Sequence, residues 1–465
     1  MLNAQGDLLL DEERYAEARA KCHDALELSQ RLFHGDHAAI AHSLHNLACS
    51  VDGLGDPENA LPLYGDALRM RQRLFPGDHA FVATSLNNLA SCLKSLGRFE
   101  EALNSFEASL AMRERLHNGE HPEIAAALNN LADCLDGLGR YDDALAVHQR
   151  ALEMFSRLHR GDHPAVATSM NNVAHCLMRV DRFEDALPIL EAALQMEQRL
   201  FSGDHAAVAA GMINLARCNQ KLGRREALPQ FEAALDMLRR LYPADHPEVA
   251  VGCMNLAGCL KANGKPSEAL PLFRAALEMR QRLFKGGHPG IASSMDGLAS
   301  CLRSLGRFTE ALPLFESALD MPRRTYAGDH SEIASSLNNV GYCLEQLEDL
   351  DDALAKYREA VGIWERVLPG DHRDITTARS NMARCLFRLE RYAEALPEFL
   401  EVHRALESRA DSQVATRRRV LESLIKLFEA WETAEPNRGH AESAADWQEK
   451  LDALGDEVPA SSLLP

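Results

Sequence analysis

One hydrophobic rhythm runs through the chain. Apolar residues recur three and four apart, as at Leu86, Leu89, Ala90 and Leu93, and resume after a polar break at Phe99, Ala102, Leu103, Phe106 and Leu110. That is the period of a helix with one face turned to a core. No stretch of useful length alternates at period two, so no sheet is expected. Helix boundaries are written beside the rhythm. Leu96-Gly97-Arg98 stops one helix, because glycine enters the left-handed conformation without a Cβ penalty. Asp162-His163-Pro164 opens another, with Asp read as the N-cap oxygen and Pro in a first turn that can spare its N–H. Asp245-His246-Pro247-Glu248 adds a carboxylate at capping-box spacing.

The rhythm itself repeats. His37, His79, His121, His163, His205, His246, His288, His330 and His372 keep a 42-residue interval, short by one residue between His205 and His246. The missing residue is placed at Gly223-Arg224-Arg225-Glu226, where a shorter loop would leave the helices in phase. Cys92, Cys134, Cys176, Cys218, Cys259, Cys301, Cys343 and Cys385 follow the same interval. A side chain set at one point of every repeat is a packing choice, so these thiols read as small buried fillers in a reducing compartment. Successive copies stand roughly 10 Å apart at ordinary helix spacing, too far to share a coordination sphere. No metal and no cofactor is assigned. The histidines are read as first-turn residues packing on the preceding unit.

Each unit also carries small residues at fixed points: Ala48, Ala90, Ala132, Ala174, Ala216, Ala257, Ala299, Gly341 and Ala383 midway in the first helix, and Ala60, Ala102, Ala144, Ala186, Ala269, Ala311, Ala353 and Ala395 early in the second. These positions, with an aromatic such as Phe99 or Tyr141 at the turn, resemble the tetratricopeptide repeat. The 42-residue period and the run His121-Pro122-Glu123-Ile124-Ala125, then Leu128-Asn129-Asn130-Leu131-Ala132, resemble its kinesin-light-chain class. The implied fold is all-α: a right-handed α-solenoid of about ten antiparallel helix pairs over 1–408, the first shortened at its N-terminal side. A degenerate capping helix pair is expected over 409–454, with Trp431 and Trp447 covering the apolar end, and a flexible tail over 455–465. The closing segment, Leu424 to Trp431 and Ala444 to Leu451, resembles the end of arrays joined to bacterial serine/threonine kinases. No glycine-rich loop, H-R-D or D-F-G sequence accompanies it.

The resemblance implies that first helices line a concave groove. The second residue of the asparagine pair faces that groove in the family: Asn46, Asn88, Asn130, Asn172, Asn214, Asn255, Asn339 and Asn381, with Gly297 the exception. An amide offers one acceptor and two donors, so such a ladder could hold the main chain of an extended peptide. The alternative is that Asn87/Asn88-type pairs bond neighbouring helices and order the stack. Positions three, six and seven beyond the second asparagine would set specificity. They are Ser91, Lys94 and Ser95; Asp133, Asp136 and Gly137; His175, Met178 and Arg179; Arg217, Gln220 and Lys221; Gly258, Lys261 and Ala262; Ser300, Arg303 and Ser304; and Arg384, Phe387 and Arg388. Arg179, Arg217, Lys221, Lys261 and Arg303 thus place positive charge mid-array and suggest an acidic ligand. The alternative is that these long chains are solvated or pair with neighbouring Asp and Glu.

Charge sharpens the contrast. Fifty basic against 69 acidic residues leave a formal charge of −19, which argues against a nucleic-acid partner. No apolar run is long enough to span a membrane, and the first residues lack a signal-peptide pattern. Arginine outnumbers lysine 41 to 9, a composition that suggests a GC-rich bacterial source. The expected function is a non-enzymatic, cytoplasmic protein-interaction scaffold that binds an extended, acidic peptide or a helical segment of a partner. The alternative is a regulatory subunit acting in trans on a bacterial signalling enzyme such as a kinase, protease or switch ATPase.

Overall fold

The structure, a computed structural model, describes residues 2–12, 14–284, 289–325, 328–368, 370, 372–408 and 414–456. His288 and the tail beyond 456 lie outside the described residues. Twenty-two helices and no strand occur among those described. They fall into two compact units, 1–263 and 264–465. The first holds α1 (Leu2–Asp11), α2 (Tyr15–Leu32), α3 (Ala38–Gly53), α4 (Pro57–Leu74), α5 (Ala80–Ser95), α6 (Phe99–Leu116), α7 (Pro122–Gly137), α8 (Tyr141–Leu158), α9 (Pro164–Arg179), α10 (Phe183–Leu200), α11 (Ala206–Lys221), α12 (Ala227–Leu241) and α13 (Pro247–Ala262). The second holds α14 (Pro266–Leu283), α15 (Pro289–Ser304), α16 (Phe308–Thr325), α17 (Ser331–Gln346), α18 (Leu350–Val367), α19 (Arg373–Arg388), α20 (Tyr392–Ser408), α21 (Val414–Ala434) and α22 (His440–Asp456).

Histidine, not aspartate, caps the first helices. The Nδ1 atoms of His37, His79, His121, His163, His205 and His246 accept the backbone N–H two residues on, at 3.1–3.2 Å. His330 and His372 do the same in the second unit. The capping-box reading of Glu248 falls with this, since Glu248 instead donates its N–H to His246. In the first unit each of these caps also stacks on a ring four residues earlier: His37 on Phe33, His121 on His117, His205 on Phe201, Tyr242 under His246. The aspartate expected as cap serves another purpose. Asp36, Asp78, Asp162 and Asp204 each receive a two-pronged bond from an arginine near the end of a later second helix: Arg73, Arg115, Arg199 and Arg240. That fork geometry suits guanidinium on carboxylate and pins each loop to the next repeat.

Small residues let the helices close. Ala48, Ala90, Ala132, Ala174, Ala216 and Ala257 in the first unit, and Ala299 and Ala383 in the second, are fully buried. Gly137 is obligatory, since a Cβ there would lie 2.3 Å from the Phe99 ring. The thiols do more than fill space. Cys92, Cys134 and Cys218 donate to the carbonyls of Pro57, Phe99 and Phe183 at 3.3 Å, joining a first helix to the opening residue of the preceding second helix. Cys301 and Cys385 repeat the bond in the second unit. All eleven cysteines are free.

The missing residue does not shorten the loop. α12 has 15 residues where the other second helices of the repeats have 17 or 18, and it begins at Ala227, the position of Ala102 in α6. The deletion is absorbed by losing the helix's first turn. In the second unit, Trp447 of α22 meets His403 of α20 edge-on at 5.1 Å, and Trp431 of α21 lies 6.3 Å from Tyr392.

Candidate functional site

In both units, first helices of successive repeats also touch: α5 with α7, α7 with α9, α9 with α11, and α17 with α19. The asparagines lie along this layer. Asn130 donates to Asn87 Oδ1 at 2.9 Å, Asn87 donates to Asn88 Oδ1 at 3.3 Å, and Asn88 donates to His45 Nε2 at 3.2 Å. Asn46 donates to Asp7 Oδ1 at 2.5 Å. In the second unit, Asn381 donates to Asn338 at 3.0 Å, and Asn339 accepts from Arg303 at 3.0 Å. The stack-ordering alternative therefore describes Asn88, Asn130 and Asn381.

Two members are different. Asn172 of α9 and Asn214 of α11 are half-buried and make no side-chain hydrogen bond among the described residues. Their neighbours explain why. Asn171, which could have played the role of Asn87, donates to Glu197 Oε1 at 3.0 Å, and position 213 is Ile. Among the described residues Asn255 bonds only within its own helix, to the Val251 carbonyl at 3.0 Å.

The cations divide the same way. Arg179 donates to the Tyr141 hydroxyl at 2.6 Å, lies over that ring at 4.7 Å, and sits 3.7 Å from Asp136. Lys261 is half-buried and engaged. In the second unit Arg303 bonds Asn339 and lies 5.4 Å from the Tyr342 ring centre. Arg217 and Lys221 are exposed and carry no ion pair among the described residues. They share one stripe of α11 with Asn214, at spacings of three and four. Beside them, burial holds the His175 imidazole below its ordinary value; Asp136 pulls it up, and Arg217 and Arg179 push it down. His175 is therefore a neutral ring at neutral pH.

Some polar groups were not singled out from sequence. Glu197 of α10 takes the position that holds Arg71 and Arg113 in earlier repeats. It is buried, its Oε2 is unpartnered, and burial raises its carboxyl to about 7, with only the Asn171 bond opposing. In the second unit Asp296 stands where an asparagine pair would begin, and burial lifts it to about 6. Two clusters bring possible metal ligands within 4.8 Å of one another: His117, His121 and Glu123, and Asp136, His175 and Cys176. In both, a guanidinium already attends the carboxylate: Arg113 on Glu123 at 2.9 Å, and Arg179 near Asp136. Burial pushes the Cys176 thiol up to about 12. Among the described residues no nucleophile, base and orienting acid converge here, and the arrangement offers hydrogen bonds and charge.

The sequence profile of the tetratricopeptide repeat matches residues 1–73, 81–157, 137–177, 165–240, 250–324 and 332–408. No curated protein sequence matches the chain. Among solved structures, the human IFIT1 dimer with PPP-AAAA is 17% identical with a TM-score of 0.54, over 94% of this chain and 92% of that one. A Rap protein complexed with Competence and Sporulation Factor is 16% identical with a TM-score of 0.51, over 78% of this chain and 97% of that one. Repeats assigned to a kinesin light chain of Podosopora anserina are 22% identical with a TM-score of 0.41, over 45% of this chain and 99% of theirs. No helix among the described residues is long and apolar enough to cross a membrane.

Proposed function

The chain belongs to the tetratricopeptide repeat family, and we propose that it is a non-enzymatic scaffold whose first-helix layer in residues 1–263 binds an extended acidic peptide of a partner protein. One observation carries the reading. Asn172, Asn214, Arg217 and Lys221 lie on the neighbouring helices α9 and α11 and are unspent by the fold, while their counterparts are bonded. A half-buried amide that the fold leaves unused keeps its donors and acceptor for a ligand's main chain. A local pair of cations in a chain of charge −19 focuses field on a short run of carboxylates.

The same charge weighs against a longer polyanion. The IFIT1 structure holds PPP-AAAA and the Rap structure holds a factor, so the fold accommodates ligands of more than one chemistry. Here two unpaired cations supply few phosphate contacts, whereas nucleic-acid affinity grows with their number. A peptide fits better. Eleven free cysteines, those on the repeat interval tucked into helix contacts, support a reducing, cytoplasmic setting.

The test is a fluorescence-anisotropy titration of the full chain with a labelled peptide of alternating Gly and Glu, twelve residues long, beside its Gly–Gln counterpart. The Glu peptide binds more tightly, and the double variant Arg217→Glu, Lys221→Glu weakens it at least about tenfold. Equal affinity for both peptides, or no change in the variant, overturns the reading.

A further inference from the structure

A cavity of ≈ 610 Å³ opens on the same layer, near the first helices of the first unit. Its wall includes Asp7 and Asp11 of α1, Tyr15 of α2, His45 and Asp52 of α3, and Tyr64 of α4. Asp52 is six residues beyond Asn46, in register with the positions expected to set specificity elsewhere in the layer. No lysine or arginine lines the cavity. Asp11 is exposed and makes no ion pair among the described residues. Asp52 has a single long bond from the Tyr64 hydroxyl, 3.4 Å, and burial raises its carboxyl. Asp7 is held by Asn46 and by His42, which pairs with it at 3.1 Å when protonated, and by no lysine or arginine.

The wall also contains an unused polar group. His45 is only 8% exposed, and its Nδ1 has no hydrogen-bond partner. Its Nε2 accepts from Asn88, so Nδ1 carries the proton and lacks an acceptor. Three carboxylates paired with no lysine or arginine, two tyrosine rings and a spare N–H donor are complementary to a positive side chain with a carbonyl beside it.

We propose that this cavity is a subsite for an arginine or lysine side chain of the bound peptide. The guanidinium or ammonium sits among Asp11, Asp52 and Asp7, and an adjacent peptide carbonyl faces His45. The inference rests on the peptide-binding reading above and deepens it: the ligand is dipolar, with a basic residue at α1 and α3 and acidic residues at α11.

Saturation-transfer NMR on the full chain tests it with Ac-Gly-Arg-Gly-NH2, its citrulline counterpart, and putrescine. Transfer to the arginine methylenes is expected, with at least about fivefold less to citrulline, which keeps the shape and loses the charge. The double variant Asp11→Asn, Asp52→Asn removes the transfer, while its circular-dichroism melting curve stays that of the parent. The single exposed variant Asp11→Asn, which leaves the interior untouched, weakens it alone. Equal transfer to citrulline, or persistence in the double variant, overturns the subsite. Putrescine binding as well as the tripeptide overturns its assignment to a peptide. The two readings fail separately: if Arg217→Glu, Lys221→Glu still abolishes Glu-peptide binding while the arginine tripeptide shows no transfer, the layer binds peptide and only the subsite is wrong.

Discussion

Asn130 donates its side-chain amide to Asn87 of the preceding repeat at 2.9 Å, and Asn87 passes the chain of bonds on to Asn88. A single side chain therefore closes a relay across three repeats that ends on His45. Replacing Asn87 with Ala leaves a donor on Asn130 and an acceptor on Asn88 half-buried and unmatched. The expected loss is about 1–3 kcal/mol, read from urea unfolding of the full chain. A change within experimental error would mean that the relay contributes nothing to the stack.

The histidine cap accepts a backbone N–H, so it works only while Nδ1 is unprotonated. His163→Ala should cost about 1 kcal/mol at neutral pH, and His163→Asn should cost little, since asparagine also caps. Burial, then the neighbouring His159, lowers the His163 value below the ordinary 6.5. The cap's contribution is then complete above 6.5 and is lost as pH falls through the lower folded value. Thermal melts from pH 8 to 5 should show a shallower pH slope for the asparagine variant than for the parent. Parallel slopes would remove histidine from the cap's energetics.

Glu197 gives the opposite sign. Its carboxyl is raised from 4.5 to about 7, so the folded chain binds a proton that the unfolded chain releases. Stability is full below 4.5 and falls as pH rises through 7, at about 1.4 kcal/mol per pH unit across that window. Glu197→Gln keeps an oxygen for Asn171 and removes the titration. The variant should be more stable than the parent at pH 8 by ~3 kcal/mol and nearly equal to it at pH 4. Equal stability at both pH values would show that the buried carboxylate is accommodated without cost.

Asp181 closes α9 with φ of 58°, where other repeats place Gly55, Gly97 or Gly139. A non-glycine residue held there is strained by about 1 kcal/mol. Asp181→Gly should recover that amount at a site exposed to solvent, and chemical denaturation checks it. No gain would mean that the freedom glycine adds to the unfolded chain offsets the relieved strain.

Much of this was legible in the sequence because the repeat averages the signal. The alanines at 90, 132 and 174 announced close helix contacts, and Gly97 announced a helix end at its own number. The cap was misread for a physical reason: Asp outranks His as a cap in general, and in the first unit it is the ring partner four residues earlier, such as Phe33 or His117, that holds His in place to act as one. The arginine that claims the displaced aspartate lies 37 residues away, beyond any local rule. Glu197 could have been noticed by register, since Arg71 and Arg113 precede it at the repeat interval. The ladder of asparagines was visible, but its division was not. Whether an amide is spent depends on what the neighbouring helix offers: Asn87 for Asn130, but an Asn171 bonded to Glu197 for Asn214.

That division is the centre of the account, and the affinity of the double variant Asn172→Ala, Asn214→Ala for the labelled Gly–Glu peptide tests it most directly. These amides hold no part of the fold, so binding should weaken at least about tenfold, two hydrogen bonds' worth, in a chain that unfolds at the parent's midpoint. Undiminished affinity in the folded variant would contradict the claim that the unspent asparagines are there for a ligand.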